Sequence, residues 1–359
     1  MINFRSDNEA PVASEIMEAI AIANCGTAYS YGGDSITGDI SAKFSDLFEH
    51  DVEVFPVTTG TAANALALGH VTPPYGVIYC TEQAHVLVDE CGAAGFYAGG
   101  AMMRPLQGAD GKMEAPVLAN VLASHGSHGD HEAWPSALTV AQATECGTLY
   151  KPEEISTLAE IAKRHDLVFH MDGARFANAV SALGCTPADI TWRSGVDILS
   201  FGATKNGALA AEAVVIFKPE LAVEFGRQRM RGGHLVSKMR YLSAQLLSYI
   251  EDDLWLSLAN RANKAASQIA EGLSGLTSAE IFHPVEANAL FVRLPEHIIK
   301  GLSKDGFLFH EWPTHPGMVR LMCSYELSRD DVTLFLQAVR RHASNPSCSV
   351  SLCERGTLA

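Results

Sequence analysis

Two short apolar segments that each end in a polar side chain constrain this chain more than any other feature. The first is Val-Phe-His-Met-Asp-Gly-Ala-Arg at positions 168–175, and the second is Asp-Ile-Leu-Ser-Phe-Gly-Ala-Thr-Lys-Asn at positions 197–206. Both are typical of short buried strands, and an open α/β sheet binds its ligands beyond the carboxyl ends of its strands. We therefore expect Asp172 and Lys205 to lie at the edge of the sheet where chemistry takes place.

A lysine and a carboxylate at adjacent strand ends suit pyridoxal 5'-phosphate (PLP). The lysine amine can form a Schiff base with the aldehyde of this cofactor, and the carboxylate can keep its pyridine nitrogen protonated. The alternative is an ordinary buried ion pair. Gly202, Ala203 and Gly207 surround Lys205 with small residues, and this setting favours a functional lysine over a structural one.

The composition of the chain argues against several classes of function. Its 359 residues carry a net charge of −15, which disfavours a nucleic acid or an anionic membrane as partner. No apolar run approaches the ~20 residues of a membrane span, and the N-terminus lacks a secretory signal pattern. The eight cysteines form no Cys-x-x-Cys pair. They are expected to be free thiols, so the chain is predicted to be cytoplasmic.

The order of the predicted elements indicates an α/β fold in two domains. From residue 52 to residue 217 strands and helices alternate, which is typical of a mostly parallel sheet with helices on both faces. After residue 217 the pattern changes to that of a smaller α+β domain. We expect an N-terminal arm at 1–20, a large domain at 21–240, a small C-terminal domain at 241–343 and a disordered tail at 344–359.

A turn of small residues follows the first strand of this alternation. The segment Thr-Thr-Gly-Thr-Ala-Ala-Asn-Ala-Leu at positions 58–66 joins a strand at 52–57 to a helix. Such a turn exposes backbone N–H groups at a helix N-terminus, where a phosphate can bind. The alternative is a plain capping turn with a threonine N-cap.

Histidines occur in two settings that could serve chemistry. His85 falls in the first turn of a helix predicted over 83–98, where it is either a capping or surface residue or a ring stacked on a flat cofactor. His125, His128 and His131 are spaced in a way that metal ligands can be. Their loop is rich in glycine, however, and no thiol or regular helix supports a cage. We interpret that segment as a loop and predict no metal site.

Together these motifs resemble those of the PLP-dependent threonine aldolases of fold type I, in the β-eliminating lyase group. The matching motifs, in the family's order, are Arg-Ser-Asp at 5–7, Thr-Gly-Thr-Ala-Ala-Asn at 59–64, Ala-His at 84–85, His-Met-Asp-Gly-Ala-Arg at 170–175 and Thr-Lys-Asn at 204–206. The resemblance extends from Phe4 to Leu321. It implies an aspartate-aminotransferase-like fold, PLP as cofactor, a small-molecule amino-acid substrate and a homotetramer.

The resemblance also implies roles for individual residues. Lys205 resembles the lysine that carries PLP, Asp172 the partner of the pyridine nitrogen, and His85 the ring stacked on the cofactor. The other implied cofactor contacts are Gly60, Thr61 and Thr204 around the phosphate, and Arg175 at the phenolic oxygen. The implied substrate contacts are Ser6 and Arg320 at the carboxylate, with Tyr31 and Glu145 as further contacts.

Simpler structural interpretations exist for three of these residues. They are an ion pair of Arg175 with Asp172, a turn cap for Ser6 and a surface arginine on a strand for Arg320. Each interpretation gives the side chain a partner or a location without any ligand.

The chain also departs from the family pattern at two places. Many members carry a histidine where this chain has Glu145, so a simple histidine base is not implied. The family's phosphate-binding arginine has no clear counterpart. Lys238 and Arg240 are the candidates for that role, toward the phosphate of the same subunit or of a neighbouring one.

The activity that the resemblance implies is retro-aldol cleavage of L-β-hydroxy-α-amino acids, such as threonine, allo-threonine and phenylserine, to glycine and an aldehyde. The base for the β-hydroxyl is open among His85, Glu145 and a bound water. Loose specificity at Cβ is expected, with the loop at 125–131 near the mouth of the site. The alternatives are another fold-type-I PLP enzyme, either an aminotransferase or a β-eliminating lyase, and a PLP-binding protein without turnover. A dehydrogenase is disfavoured because no Gly-x-Gly-x-x-Gly motif opens the chain.

Overall fold

The structure is a computed structural model that describes residues 1–312 and 315–344; the tail predicted at 344–359 therefore lies, beyond Ser344, outside the described residues. The strands are β1 (Ile2–Asn3), β2 (Glu53–Val57), β3 (Gly76–Thr81), β4 (Met102–Leu106), β5 (Trp134–Ala141), β6 (Val168–Gly173), β7 (Ile198–Gly202), β8 (Glu212–Ile216), β9 (Glu280–Ile281), β10 (Ala289–Arg293), β11 (Phe307–Leu308), β12 (His310–Glu311) and β13 (Met318–Met322). The α-helices are α1 (Ser14–Ala23), α2 (Ser35–Gly38), α3 (Ile40–Phe48), α4 (Gly60–Val71), α5 (His85–Val88), α6 (Ala93–Tyr97), α7 (Ala115–Ala123), α8 (Pro152–Arg164), α9 (Phe176–Leu183), α10 (Pro219–Ala222), α11 (Phe225–Arg231), α12 (Arg240–Ile250), α13 (Leu254–Leu273), α14 (Glu296–Lys304) and α15 (Arg329–Ser344). Within these ranges no helix combines the length and the apolar character of a membrane-spanning segment.

Seven strands form the central sheet, in the order β2-β8-β7-β6-β5-β3-β4. All neighbouring pairs are parallel except the two that β8 makes with β2 and β7. Strands β6, β7 and β8 are rich in apolar residues and almost entirely buried, as expected for a sheet covered on both faces. The mostly parallel sheet predicted from the alternation of elements is confirmed.

The direction of the strands brings several polar segments to one edge of this sheet. Strands β3, β5, β6 and β7 are parallel, and β2 runs in the same direction because β8 is antiparallel to both β2 and β7. We call the edge at which these strands end the carboxyl edge. It carries the start of α4 after β2, α5 after β3, the loop at 142–151 after β5, and a 3-10 turn at Thr204–Asn206 after β7.

A second, smaller sheet lies in the C-terminal part of the chain. It has the order β12-β13-β10-β9 with antiparallel neighbours, and α13, α14 and α15 contribute apolar side chains to its core. The N-terminal residues join this unit. Strand β1 pairs with β11, and the fully buried Phe4 ring lies 4.9 Å from the ring of Phe335. The predicted N-terminal arm is thus packed against the C-terminal part of the chain.

The prediction of a single helix over 83–98 is wrong, because the structure has the two short helices α5 and α6 in this range. Cys91 and Gly92, which lie between them, have left-handed backbone with φ of 52° and 73°. This conformation is incompatible with the interior of a right-handed helix. In the segment between the two helices, a carboxylate oxygen of Glu90 lies 2.8 Å from Nδ1 of His85.

An aromatic cluster supports the end of β7. The centroid of the Phe201 ring lies 5.1 Å from that of Phe44, 6.0 Å from that of Tyr249 and 5.8 Å from that of Trp255. All four side chains are completely buried. Aromatic pairs at such separations contribute about 0.5–1.5 kcal/mol beyond their burial. The strand that precedes Lys205 is therefore held by closely packed rings.

Replacing Phe201 by alanine should lower the free energy of unfolding by about 3–5 kcal/mol, because the substitution empties an enclosed aromatic site. Urea denaturation followed by circular dichroism measures the change. The matched control is Phe96→Ala, since the Phe96 side chain is 78% exposed. Its effect should stay within about 0.5 kcal/mol. Equal losses in the two variants would contradict the packing described for β7.

Candidate active site

A cleft of about 720 Å³ lies between the carboxyl edge and the small sheet. One wall consists of residues that follow β3, β5, β6 and β7, and the opposite wall comes from β10, β13 and the segments beside them. The residues predicted from the sequence that line this cleft are Ser6, His85, Glu145, Arg175, Lys205 and Arg320. Segments far apart in the sequence therefore meet in one cavity.

Asp172 lies behind the cleft, near the end of β6. The strand register places it opposite Ser200 of β7, and it is 6% exposed. Its carboxylate accepts hydrogen bonds from Nδ2 of Asn64 at 2.8 Å and from the backbone N–H of Ala174 at 3.0 Å. Two positions earlier, burial lowers the pKa of His170 to about 4, so this ring is neutral. The Asp172 side chain is thus held in one orientation.

Lys205 lies in the 3-10 turn Thr204–Asn206, which we call the lysine turn and which is held by several contacts. In this 3-10 turn, Nδ2 of Asn206 donates to the hydroxyl of Tyr249 at 2.7 Å and to the carbonyl of Trp255 at 2.8 Å. The next residue, Gly207, has a φ of +113°, which glycine adopts readily. The lysine side chain therefore reaches the cleft from a well-held backbone.

A hydrogen-bonded network links His85 to Asp172. Nδ1 of His85 lies 2.8 Å from Oε1 of Glu90, and Nδ2 of Asn64 donates to both Glu90 and Asp172, each at 2.8 Å. The bond to Glu90 raises the pKa of His85, and burial raises the pKa of Glu90. Sequence reasoning missed Asn64 and Glu90. The one sequence signal for Asn64 was its place as the last residue of the turn motif at 59–64.

His85, Glu90 and Asp172 offer possible metal-ligand atoms that lie within 4.8 Å of one another. The amide nitrogen of Asn64, however, donates hydrogen bonds to both carboxylates. A cation bound by the same oxygen atoms would be repelled by this N–H donor. The arrangement therefore suits a hydrogen-bonded network that orients Asp172.

The histidine-glycine loop at 125–131 lies away from the cleft. The carboxylate of Glu132 closes it, with contacts to Nδ1 of His125 at 3.0 Å and to the backbone N–H of Gly126 at 2.6 Å. The expectation that this loop lies near the mouth of the site is wrong. The loop leads into the amino end of β5, whereas the cleft lies at the carboxyl edge.

Glu145 follows β5 and lines the cleft beside His85. Its Oε1 accepts the backbone N–H of His85 at 2.8 Å. Its Oε2 is buried and has no hydrogen-bond partner among the described residues. Burial raises the pKa of Glu145 to about 7. This side chain can therefore gain or lose a proton near neutral pH.

Arg175 forms a bidentate ion pair with Asp7, with N–O distances of 2.7 and 2.9 Å. Burial raises the pKa of Asp7, but the guanidinium outweighs this effect and holds the pKa below its ordinary value. The alternative prediction of an Arg175–Asp172 pair is wrong, because the ion-pair partner of Arg175 is Asp7. Asp7 was a missed residue, although it belongs to the Arg-Ser-Asp motif.

Arg320 and Ser6 line the cleft near the N-terminal segment. Nη2 of Arg320 donates to the carbonyl of Arg5 at 3.2 Å, and its guanidinium carbon lies 5.6 Å from the centre of the Trp312 ring. Its Nε is buried without a partner among the described residues, so the surface-arginine interpretation is wrong. Ser6 caps a 3-10 turn by accepting the N–H of Asn8 at 3.2 Å, which confirms the capping interpretation. Within the described part of the chain, the Ser6 hydroxyl donates to no acceptor, so its hydrogen is available to a ligand.

The small-residue turn at 59–64 forms the start of α4. Thr59 is its N-cap, and its hydroxyl accepts a first-turn N–H at 3.1 Å, as the capping alternative predicts. Gly60 and Thr61 begin the helix, where N–H groups have no intrahelical partner. Apart from its chain neighbours and the backbone of its own helix, no atom of the described residues lies within 4 Å of the position that a Gly60 side chain would take. Asn64 is about one helical turn further on and contacts Asp172, so this N-terminus lies close to the cleft.

Four other predicted residues do not line the cleft, and they are Thr204, Tyr31, Lys238 and Arg240. The hydroxyl of Thr204 accepts the backbone N–H of Ala211, just before β8, at 3.2 Å. Tyr31 is 55% exposed, and its backbone N–H donates to the carbonyl of Ser237, next to Lys238, at 3.0 Å. Arg240 donates to a backbone carbonyl at 3.2 Å. The cofactor roles of Lys238 and Arg240 and the substrate role of Tyr31 stay predictions.

The residues around the cleft fit PLP. They provide a lysine, a buried carboxylate behind it, an imidazole beside it and a helix N-terminus with open space at its first residue. The residues near the cleft that carry a buried polar atom without a partner, within the described part of the chain, are Asn64, Glu90, Glu145, Asn288 and Arg320. Such atoms gathered around a cavity are expected where a polar ligand completes their hydrogen bonds.

The chain is similar to known proteins along nearly its whole length. The sequence profile of the beta-eliminating lyase family matches residues 3–297. A low-specificity L-threonine aldolase of Pseudomonas aeruginosa is 38% identical over 337 residues, which cover 94% of this chain and 96% of that protein. Another from a Pseudomonas species is 38% identical over 323 residues, covering 90% and 92%. The structure resembles a threonine aldolase of Leishmania major with a TM-score of 0.88 and 26% identity, over 96% of this chain and 100% of that one.

These similarities agree with the geometry of the cleft. The fold-type-I architecture predicted from the resemblance is confirmed, with its mostly parallel sheet and its small antiparallel C-terminal sheet. The family uses PLP, so the predicted cofactor is confirmed as well. The chain belongs to the beta-eliminating lyase family, and its relatives of high coverage within that family are low-specificity L-threonine aldolases.

Proposed function

We propose that this protein is a PLP-dependent aldolase that cleaves L-β-hydroxy-α-amino acids, such as threonine, allo-threonine and phenylserine, to glycine and an aldehyde. The observation that carries the proposal is the single cleft in which Lys205, Glu145 and Arg320 meet in front of Asp172. The names of the two Pseudomonas relatives support the same reaction. Bound PLP supplies an electron sink for the electron pair that is released when the Cα–Cβ bond breaks.

Residues from several elements of the carboxyl edge would hold the cofactor. Lys205 supplies the amine that joins it, and Asp172, oriented by its hydrogen bonds, keeps the pyridine nitrogen protonated. His85 supplies a ring for one face of the cofactor, and Arg175 supplies a donor for its phenolic oxygen. The free N–H groups at the start of α4 bind the phosphate.

Arg320 and Ser6 would bind the substrate carboxylate. The buried Nε of Arg320 has no partner among the described residues, and the Ser6 hydroxyl can still donate a hydrogen bond. A charge-assisted contact to a guanidinium fixes both the position and the rotation of a carboxylate. This grip decides which bond of the substrate Cα faces the cofactor, and it thereby selects the bond that breaks.

Glu145 is the group that best fits the proton of the β-hydroxyl. Its Oε2 has no hydrogen-bond partner among the described residues, and burial raises its pKa to about 7, so it exchanges protons at neutral pH. His85 is less suitable. Its bond to Glu90 raises its pKa and so favours the imidazolium, which cannot accept a proton. We therefore assign acceptance of the hydroxyl proton to Glu145.

The proposed assembly is a homotetramer in the cytoplasm. Tyr31 and Lys238 are exposed, and so are the apolar side chains of Val88 at the cleft and Leu209 beside the lysine turn. In an assembly these surfaces would be covered, and Lys238 or Arg240 would reach the phosphate of a neighbouring subunit. The cysteines of the described part of the chain are all free, which supports a reducing compartment.

Incubation with the four isomers of threonine and of phenylserine should give glycine and aldehyde from both L-threo and L-erythro substrates and from no D-substrate. The Arg320 grip sets the configuration at Cα. One hydrogen bond at the β-hydroxyl is worth about 0.5–1.5 kcal/mol, or roughly tenfold in rate, so both L-diastereomers should be consumed. Chiral chromatography after partial conversion measures this. Consumption of a D-isomer would contradict the Cα argument, and amino transfer to a keto acid without aldehyde release would indicate an aminotransferase.

Replacing Glu145 by glutamine should lower kcat/KM for phenylserine cleavage by about 100-fold or more, because the amide keeps the bond to the His85 N–H but cannot accept a proton. In the unsubstituted protein, kcat/KM should rise as pH increases through about 7, where Glu145 loses its proton. The variant should lose this rise.

Exchange of the glycine α-hydrogen in D₂O, followed by NMR, separates this role from a structural one. It needs no hydroxyl proton transfer, so the Glu145→Gln variant should retain it. Glu82→Gln is the control, since Glu82 is an exposed glutamate of the same cleft, and it should cleave phenylserine at the usual rate. Near-normal cleavage by the Glu145 variant would refute the assignment.

A further inference from the structure

Glu212 is a buried carboxylate to which the mechanism above assigns no role. It is the first residue of β8, whose other residues are alanine, valine and isoleucine, and it is 6% exposed. Among the described residues, no ion pair includes it. A carboxylate in such surroundings is costly unless its charge is used.

The strand register places this carboxylate at the root of the lysine turn. Strand β8 is antiparallel to β7, and Glu212 is the partner of Gly202, the last residue of β7. Oε2 of Glu212 accepts the backbone N–H of Ala203 at 3.0 Å. Thr204 lies close enough to lower the pKa of this carboxylate. The turn that leads from β7 to Lys205 is therefore bound by this side chain at Ala203.

Hydrogen bonding alone does not explain why this residue is ionisable. A neutral side chain such as glutamine could accept the same N–H group without the cost of a buried charge. Burial raises the pKa of Glu212 to about 7, and the positive charge of Lys205 acts against this rise. Electrostatic coupling between two sites is reciprocal. The charge of Glu212 therefore acts on the nitrogen at position 205.

We propose that Glu212 is a positioning residue that holds the lysine turn through the backbone N–H of Ala203, and that its negative charge favours a proton on the Lys205 nitrogen when this nitrogen is joined to PLP. A proton on that nitrogen makes the attached carbon more electrophilic toward an incoming amine. The inference rests on the proposed function in one respect, namely that Lys205 carries PLP.

Two substitutions separate the contributions of hydrogen bonding and charge. Glu212→Gln keeps an acceptor for the Ala203 N–H but removes the charge, whereas Glu212→Ala removes both. Asp197→Asn is the matched control. Asp197 is also buried, and it binds the N–H of Phe169 at 2.8 Å, but it lies at the start of β7, away from the lysine turn.

The primary readout is the visible absorbance of the PLP-loaded protein as a function of pH. The midpoint of its spectral transition should fall by about one pH unit in Glu212→Gln, a tenfold change in the acid constant, because an anion near the Lys205 nitrogen has been removed. Asp197→Asn should leave the midpoint unchanged. Glu212→Ala should also release PLP faster on dilution, since the turn has lost its acceptor.

The unloaded protein gives a readout that does not depend on the cofactor. The folded-state pKa of Glu212, about 7, lies above the ordinary value of 4.5. The stabilisation that this raised pKa gives to the folded state is therefore complete below pH 4.5 and is lost as pH rises through 7. Thermal melting should show Glu212→Gln gaining stability relative to the unsubstituted protein between pH 5 and pH 8.

The outcomes distinguish the inference from the function on which it rests. Borohydride reduction and peptide mapping of the unsubstituted protein show whether Lys205 carries PLP. Absence of label on Lys205 would reject the proposed function. Label on Lys205 with an unchanged spectral midpoint in Glu212→Gln would reject the role of the charge. An unchanged pH dependence of melting in that variant would show that Glu212 is not the buried titrating group described here.

Discussion

The parallel pairing of β6 with β7 is the constraint on which the rest of the site depends. Gly173 and Gly202 lie where an added Cβ would meet neighbouring backbone atoms at 2.6 and 2.7 Å. Side chains at these two positions would force the strand ends apart. Because both are glycine, the ends approach closely, so that Asp172 near the end of β6 and Lys205 in the turn after β7 lie on adjacent strands at the carboxyl edge. The electron sink of a bound cofactor requires both groups at once.

The region around these strand ends departs from the usual rule that protein interiors are apolar. Carboxylates of Asp7, Asp172 and Glu212 are buried there, beside the partly buried guanidinium of Arg175. Local conflicts of this kind are expected at functional sites, where perturbed proton affinities serve chemistry. Ion pairing and hydrogen bonds offset part of their cost. The aromatic cluster behind β7 stabilises the same strand from its apolar side.

Sequence patterns predicted the features that depend on local order. The alternation of strands and helices indicated the parallel sheet, and the polar ends of two apolar segments located Asp172 and Lys205. The break between α5 and α6 was not predicted, because it depends on Cys91, a non-glycine residue in left-handed conformation. No pattern of polarity marks such a residue. The consequence was a missed contact between Glu90 and His85.

Other parts of the site depend on contacts between distant segments. Asp7 and Arg175 are 168 positions apart, and the path of the N-terminal segment past the strand ends brings them together. Glu212 is visible in the sequence as one acid in an apolar run. Its partners follow from the antiparallel placement of β8 beside β7, which the alternation of elements does not specify. Motif resemblance named the cleft residues well, whereas the hydrogen bonds that orient them required the fold.

The central claim is that Asp172 and Lys205 act together on one cofactor, and Asp172→Asn tests it most directly. Borohydride reduction of this variant should still place the pyridoxyl group on Lys205, because the fold and the lysine turn are unaffected. Its turnover of phenylserine should fall by about 10- to 150-fold, as expected when a charged hydrogen bond worth about 1.5–3 kcal/mol is lost. A labelled variant that keeps the usual rate would contradict the account.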